Sequence, residues 1–178
     1  MAERLLDEAG YPRGEDGVRF AIKLQAPNGR YLNDADVALA IGQYLTDIGV
    51  ETEVELMDWV SAYQPLLREH NVGPLFLLGS GGVTWSPLYD MGLFASETAG
   101  ANYSEWTNPE WQARWDQLAE VRDPEGQQQL VHEMLEIWYN DPPWLTLYFQ
   151  PDFYGVSNRI DWEPRRDEDV SVYSVGLK

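Results

Sequence analysis

The feature that most constrains the fold is a strand–helix–strand pattern in the first third of the chain. Residues 20–25 alternate between apolar and polar side chains, and residues 50–56 repeat that alternation, which predicts two strands. Between them lies a predicted helix that is capped by Asn33 or Asp34 and stopped by Gly49. Its apolar face carries Ala38, Ile41, Leu45 and Ile48. Connections this short predict a βαβ unit with parallel strands, and therefore an α/β fold.

Three glutamates, Glu51, Glu53 and Glu55, share one face of the second predicted strand. Side chains two positions apart on a strand lie about 7 Å from each other. A carboxyl group that acts as an acid catalyst needs an apolar neighbour that raises its pKa, and the sequence offers none beside these three. We interpret them as a solvated acidic face.

A third apolar run, residues 75–78, is long enough for a buried strand and ends on a glycine-rich turn. Ligands of α/β folds bind beyond the carboxyl ends of the strands, so large side chains after this turn are candidates for ligand binding. They are Trp85, Tyr89 and Asp90. The alternative is that Trp85, Tyr89 and Phe94 pack together beneath a long loop. No Lys-Ser or Lys-Thr pair follows the glycines, which excludes a phosphate-binding loop.

Two helices are predicted near the N-terminal end besides the one in the βαβ unit. The first covers about the first nine residues and ends at Gly10. Its predicted buried stripe contains Leu5, Leu6 and Ala9. A second helical pattern covers residues 59–70 and is expected to be short or kinked, because Pro65 lies inside it.

Two strong helix-start signals occur in the second half of the chain. Asn108 and Asp123 are each followed by proline and glutamate, which suit an N-cap, the first helical position and the first turn. The two helices predict an αα-hairpin, with Trp111, Trp115 and Leu118 facing a core. Residues 144–149 then have the pattern of a strand, and residues 152–178 show no helical pattern.

The charge balance excludes several classes of function. The chain has 12 basic and 30 acidic residues among 178, a net charge of −18, and such a field repels nucleic acids and anionic membranes. It contains no cysteine, and its two histidines, His70 and His132, lie far apart. This excludes a thiol nucleophile and disfavours a metal site, and no cofactor is expected. The first residues lack the basic and apolar regions of a signal peptide.

Five passages, which span nearly the whole chain, are informative together. They are LLDEAGYPRGEDG at 5–17, the helix and acidic strand at 38–56, the run at 85–89, NYSEWTNP at 102–109 and PWLTLYFQPDFYGV at 143–156. In this order and spacing, the chain resembles the extracytoplasmic solute-binding proteins (family 5) of ABC importers for peptides, nickel and some oligosaccharides.

The resemblance implies a fold and a context. The fold would be a type II periplasmic-binding-protein-like lobe, with a small mixed sheet flanked by helices, a βαβ unit and an αα-hairpin. Residues 1–151 would form the second, C-terminal lobe of a two-lobed parent, and residues 152–178 a tail that returns to the missing first lobe. Met1 would then be an artificial or a mis-called start. The exported parent would close on its ligand by hinge motion, without breaking a bond, and dock on a membrane permease.

The resemblance also bears on the ligand. Family members that anchor a free peptide amine often carry Trp-x-x-Asp-Tyr, but here Leu88 occupies the place of the aspartate. A buried ammonium opposite leucine would be unpaired, so we expect an oligosaccharide, a blocked or differently oriented peptide, or another small molecule. The predicted ligand-binding residues are Trp85, Tyr89, Asp90, Asn102 and Tyr103.

Two other classes of function stay open on the sequence alone. One is an intracellular carbohydrate-active enzyme with Asp58 and Asp90 as acid and base. The other is a protein-interaction module with an exposed stripe formed by Trp106, Trp111 and Trp115, which burial of that stripe would exclude.

Overall fold

The computed structural model describes residues 1–80, 86–97 and 99–178, with only the backbone of Phe94. These residues form two compact units, Met1–Gly79 and Ser80–Lys178.

The first unit is built around a three-stranded parallel sheet. Helix α1 (Ala2–Glu8) precedes strand β1 (Phe20–Asn28), helix α2 (Asp34–Asp47) and strand β2 (Val50–Asp58). A π-helical turn (Trp59–Tyr63) leads into α3 (Gln64–Arg68) and the short strand β3 (Leu75–Phe76). The strand order is β2-β1-β3, and both pairings are parallel. The predicted βαβ unit and the α/β fold class are confirmed.

Strand β1 is central in the sheet, and its second half is buried continuously rather than at alternate residues. Its last residues before Asn28 are buried in an unbroken run from Leu24 to Pro27, because β1 has a neighbour on each side and α2 packs on the sheet. The buried centre of this core consists of Leu24 and Ala26 of β1 and Ala38 of α2. On β2, Glu51 and Glu53 are exposed as predicted, and the ammonium of Lys23 lies 3.6 Å from Glu53 and 3.4 Å from Glu55.

Two buried polar side chains connect the short strand β3 to β1. The hydroxyl of Tyr63 lies 2.8 Å from the carbonyl oxygen of Leu77, and burial raises the pKa of this hydroxyl far above its ordinary value. The side-chain oxygen of Gln25 accepts a hydrogen bond from the backbone N–H of Gly73 at 2.7 Å. These bonds satisfy polar groups that would otherwise be buried without partners, so a two-residue strand is held in register.

The expectation that α1 buries an apolar stripe is wrong. None of its residues is buried, and Leu5 is 51% exposed. Ionic contacts hold the helix instead: Arg19, whose side chain is 2% exposed, pairs with Asp7, and Arg13 pairs with Glu3. Both arginines also donate to carbonyl oxygens at the carboxyl end of α2 and just beyond it, where the helix dipole favours positive charge.

The second unit contains the predicted helical hairpin. Its helices are α4 (Pro87–Phe94), α5 (Pro109–Leu118) and α6 (Pro124–Asn140). The predicted caps are confirmed, because Asn108 accepts hydrogen bonds from the N–H groups of Glu110 and Trp111, and Asp123 accepts one from Gly126. The buried core of the unit consists of Met91, Ala95, Trp111 and Met134.

The strand predicted over residues 144–149 is wrong. These residues have no regular structure, and Phe149 is 94% exposed. Alternation predicts which face a side chain takes, but a strand also needs a neighbour for its backbone groups, and no described strand pairs with this segment. The tail beyond it contains strand β4 (Ile160–Asp161), a 3₁₀ turn (Val172–Ser174) and strand β5 (Gly176–Leu177), which pairs antiparallel with β4.

A Gly42→Ala substitution in α2 is expected to lower the free energy of unfolding by about 1–3 kcal/mol. A Cβ atom at Gly42 would lie 2.5 Å from Cγ2 of Val54 on β2, so helix and strand would have to separate. Urea denaturation measures the change. Ala40→Gly, at an exposed position of the same helix, reports the opposing effect of helix propensity, about 1 kcal/mol. A Gly42→Ala protein more stable than the parent would contradict the tight packing.

Candidate functional site

The structure places two of the predicted site residues on helix α4. Tyr89 is 39% exposed, and the carboxylate of Asp90 accepts a hydrogen bond from the hydroxyl of Ser80. Trp85 lies outside the described residues. Leu88, which stands in the place of the amine-anchoring aspartate, packs against the buried core of the second unit. That position therefore contributes to packing of α4.

Asn102 and Tyr103 lie in the turn between α4 and α5. Asn102 is only 6% exposed, and its side-chain amide donates to the carbonyl oxygen of Trp106 at 2.8 Å. Its side-chain oxygen accepts from the hydroxyl of Ser104 at 3.1 Å. Tyr103 is half-buried. Both polar groups of Asn102 thus hold the turn that leads into α5.

The tryptophan stripe of the second unit is not an exposed patch. Trp111 is fully buried, and Trp106 and Trp115 are half-buried against the same core. Trp115 stacks on Trp111 with ring centroids 5.5 Å apart, and Trp106 meets Trp111 edge-on at 5.6 Å. This burial contradicts the interaction module that the sequence left open.

A group of residues that the sequence analysis missed lies at the carboxyl edge of the sheet in the first unit. Arg30 and Tyr31 follow β1, Trp59 follows β2, and Gly79 follows β3. The hydroxyl of Tyr31 donates to the carbonyl oxygen of Gly79 at 3.1 Å, and a Cβ atom at Gly79 would come within 2.8 Å of the Tyr31 ring. The rings of Tyr31 and Trp59 meet edge-on with centroids 6.2 Å apart. We call Arg30, Tyr31 and Trp59 the strand-end cluster.

The guanidinium group of Arg30 lies against both rings of the strand-end cluster. Its central carbon is 5.3 Å from the ring centroid of Tyr31 and 5.2 Å from that of Trp59. These distances allow cation–π attraction, which fixes the position of the charge. The Arg30 side chain is exposed, and no carboxylate among residues 1–80, 86–97 and 99–178 forms an ion pair with it.

The strand-end cluster can bind a flat anionic group. Its aromatic rings are half-buried and offer apolar faces, and the guanidinium offers a planar set of N–H donors that fits a carboxylate. The sequence contained a signal for it: the strand-end rule that pointed to Trp85 also applies to the residues after the first two strands.

The carboxylates proposed for catalysis have structural partners. Asp58 accepts hydrogen bonds from the hydroxyl and the backbone N–H of Ser61, at 2.6 and 2.8 Å. The side-chain bond from Ser61 holds the pKa of Asp58 below its ordinary value, whereas an acid catalyst needs a raised pKa. Within the described parts of the chain, no three acidic or histidine side chains are grouped to hold a metal ion, and no helix is long and apolar enough to span a bilayer.

Comparisons with known proteins agree on a family and a fold. The family model described as bacterial extracellular solute-binding proteins, family 5 Middle, matches residues 1–102. None of the curated proteins matches the chain. HbpA2 from Haemophilus parasuis matches with a TM-score of 0.75 and 22% identity, over 99% of this chain and 35% of that protein.

Two other solved structures match about four fifths of the chain. DppA from Helicobacter pylori, a periplasmic binding protein solved with the peptide STSA, matches with a TM-score of 0.65 and 21% identity, over 80% of this chain and 27% of DppA. NikZ from Campylobacter jejuni, solved with Ni(L-His), matches with a TM-score of 0.64 and 18% identity, over 80% of this chain and 30% of NikZ. The chain thus spans about a third or less of each of these three structures.

An Asn102→Ala substitution is expected to lower the free energy of unfolding by about 1–3 kcal/mol, because the carbonyl oxygen of Trp106 would lose the donor that the buried Asn102 side chain supplies. Ser104→Ala is the matched control, since it removes only the second bond, whose donor is an exposed residue, and should cost about 0.5–1 kcal/mol. Denaturant titrations of both variants test the structural role. Equal, negligible losses would contradict the structural role of Asn102.

Proposed function

Because the chain belongs to the family-5 bacterial extracellular solute-binding proteins, we propose that it is the lobe that captures a ligand bearing a carboxylate or similar flat anionic group. The family binds ligands for ABC transport and is non-enzymatic. Hinge closure of this lobe against a first lobe would enclose the ligand, and the closed protein would dock on a membrane permease outside the cytoplasm. The strand-end cluster carries the proposal.

The electrostatics of the strand-end cluster support an anionic ligand. The chain has a net charge of −18, and Arg30 is an exposed arginine that has no carboxylate partner in the described structure and lies against two aromatic rings. Closure against the first lobe would exclude water from the site and strengthen the attraction between the guanidinium and a carboxylate. Peptides and amino acids carry such a group, and the similar proteins DppA and NikZ were solved with a peptide and with Ni(L-His).

The ligand-binding residues that the sequence predicted have separate roles in this proposal. Tyr89 of the second unit, with an exposed ring, and Trp85 stay predicted to offer flat apolar faces to a ligand. Asp90 and Tyr103 of the same unit stay predicted polar contacts, while Asn102 keeps the turn before α5 in shape. Leu88, packed in the core, leaves the free amine of a peptide without its usual partner, so we expect recognition through the carboxylate end.

The domain arrangement is part of the proposal. Residues 1–151 would be the second lobe, and residues 152–178 would return to a first lobe. Support comes from large apolar side chains that are more than half exposed just before and within this tail, namely Leu145, Leu147, Tyr148, Phe149 and Phe153. Exposure of so many apolar groups in one short segment is typical of a surface that another part of a protein covers.

The coding sequence upstream of Met1 tests the two-lobed parent directly. We expect an open reading frame that continues for several hundred codons to a signal peptide. A stop codon and a ribosome-binding site immediately before Met1 would contradict the two-lobed parent, and the lobe would then act alone.

An Arg30→Met variant of the full-length protein tests the anionic ligand. We expect it to bind trialanine at least tenfold more weakly, about 1.4 kcal/mol, and to bind trialanine amide as the parent does. Methionine keeps the length of the stem and removes the charge, so the loss should depend on the free carboxylate. Isothermal titration measures both affinities.

Arg68→Met is the matched control for this experiment. Arg68 is exposed on α3 in the same unit, and its replacement makes the same change in net charge. If Arg68→Met weakens binding equally, the effect is long-range charge rather than contact. A parent protein that shows no preference for the free acid over the amide would also contradict the proposal.

A further inference from the structure

Asp34 is a buried carboxylate directly after the turn that carries Arg30 and Tyr31. The residue is only 4% exposed, and it is the first residue of α2. Its Oδ1 accepts hydrogen bonds from the backbone N–H groups of Gly29 at 3.0 Å and Ala35 at 2.8 Å. Its Oδ2 accepts from those of Arg30 at 2.8 Å and Tyr31 at 2.9 Å. A carboxylate has about four acceptor positions, so this one is fully used.

Three of these four donors belong to consecutive residues of the turn between β1 and α2. Their N–H groups point at one centre, which fixes the backbone from Gly29 to Tyr31 relative to the first turn of the helix. Burial alone would raise the pKa of Asp34, but the backbone donors of Tyr31, Gly29, Arg30 and Ala35 together hold it below its ordinary value. The carboxylate is therefore charged at neutral pH, when its hydrogen bonds are strongest.

The use of both Asp34 oxygens by the backbone also matters for the neighbouring guanidinium. A free carboxylate four residues from Arg30 could pair with it and neutralise the charge that a ligand needs. Asp34 makes no ion pair with Arg30 in the described structure, because its oxygens face the backbone of the turn. The acid thus organises the turn and leaves the guanidinium against the two rings.

We propose that Asp34 is a positioning residue, whose carboxylate gathers the N–H groups of residues 29–31 and so presents Arg30 against Tyr31 and Trp59 before a ligand arrives. The proposal rests on the proposed function only for the statement that Arg30 contacts the ligand. A preorganised arginine loses less conformational freedom on binding, which favours affinity without any new contact.

The test compares Asp34→Asn with Asp36→Asn. Asparagine at position 34 has one acceptor oxygen in place of two, and its NH₂ group would face backbone N–H donors, so the turn should loosen. Asp36 lies in the same first turn of α2 but is exposed, so its replacement makes the same change in charge near the helix dipole. The two variants separate a local bonding role from an effect of helix charge.

The first readout is the NMR signal of the Arg30 side-chain Nε–H, assigned with an Arg30→Lys protein and recorded without ligand. In the parent, the ring currents of Tyr31 and Trp59 should shift this signal away from that of a solvated arginine. We expect Asp34→Asn to move it towards the solvated value and Asp36→Asn to leave it in place. An unchanged signal in Asp34→Asn, or equal changes in both variants, would overturn the proposal.

The second readout is the affinity for trialanine and for trialanine amide. Asp34→Asn should weaken binding of the free acid at least fivefold and leave binding of the amide unchanged. A shifted Arg30 signal with unaltered affinity for the acid would support the positioning role and contradict the proposed role of Arg30 in binding. Failure of the positioning role of Asp34 can therefore be distinguished from failure of the proposed binding role of Arg30.

A measurement on the unaltered protein keeps the proposal testable if Asp34→Asn does not fold. Hydrogen exchange of the backbone amides of Gly29, Arg30 and Tyr31 should be slow for a turn, because each of these amides donates to the Asp34 carboxylate. Exchange at the rate of an unprotected loop would show that the carboxylate does not hold the turn, and would overturn the proposal.

Discussion

The first unit depends on the parallel pairing of β1 with β2. Nine residue pairs are in register from Phe20 with Val50 to Asn28 with Asp58, so the chain leaves both strands at the same edge of the sheet. Only this register brings the arginine and tyrosine that follow β1 beside the tryptophan that follows β2. Helix α2 packs closely against the same pair of strands from one side, because its Gly42 has no side chain where it faces Val54. Backbone pairing therefore positions the strand-end cluster.

Charge is distributed in this chain so that acidic residues perform structural tasks as well as making the surface negative. Asp58, Asp123 and Asp34 each accept hydrogen bonds from backbone N–H groups near a helix start, where the dipole favours a negative group. Several basic side chains also have structural tasks, because they form ion pairs within the chain, as Arg19 does with Asp7. Against this background, Arg30 rests on two aromatic rings and has no acidic partner in the described structure, and it is the group that we propose for an external anion.

The errors of the sequence analysis have definite physical causes. Helix α4 was not predicted, although Ser86 and Pro87 repeat the cap-and-proline signal that correctly placed α5 and α6. The short apolar helix was obscured by the glycine-rich run before it. The failed strand at residues 144–149 has the right alternation but no neighbour in the described structure. The first helix has apolar residues at helical spacing, yet ion pairs with Arg13 and Arg19 attach it, and periodicity does not report ionic contacts.

By itself, the sequence determined the βαβ unit, the α/β class, the capped helical hairpin and the family, because local periodicity, caps and ordered motifs are properties of neighbouring residues. Its net charge of −18 also predicts that the chain repels nucleic acids. Only the tertiary structure decided that Arg30, Tyr31 and Trp59 form one cluster and that Asn102 is a buried support for its own turn. The physical reason is that strand pairing joins residues about 30 positions apart, and burial depends on what packs from elsewhere in the chain.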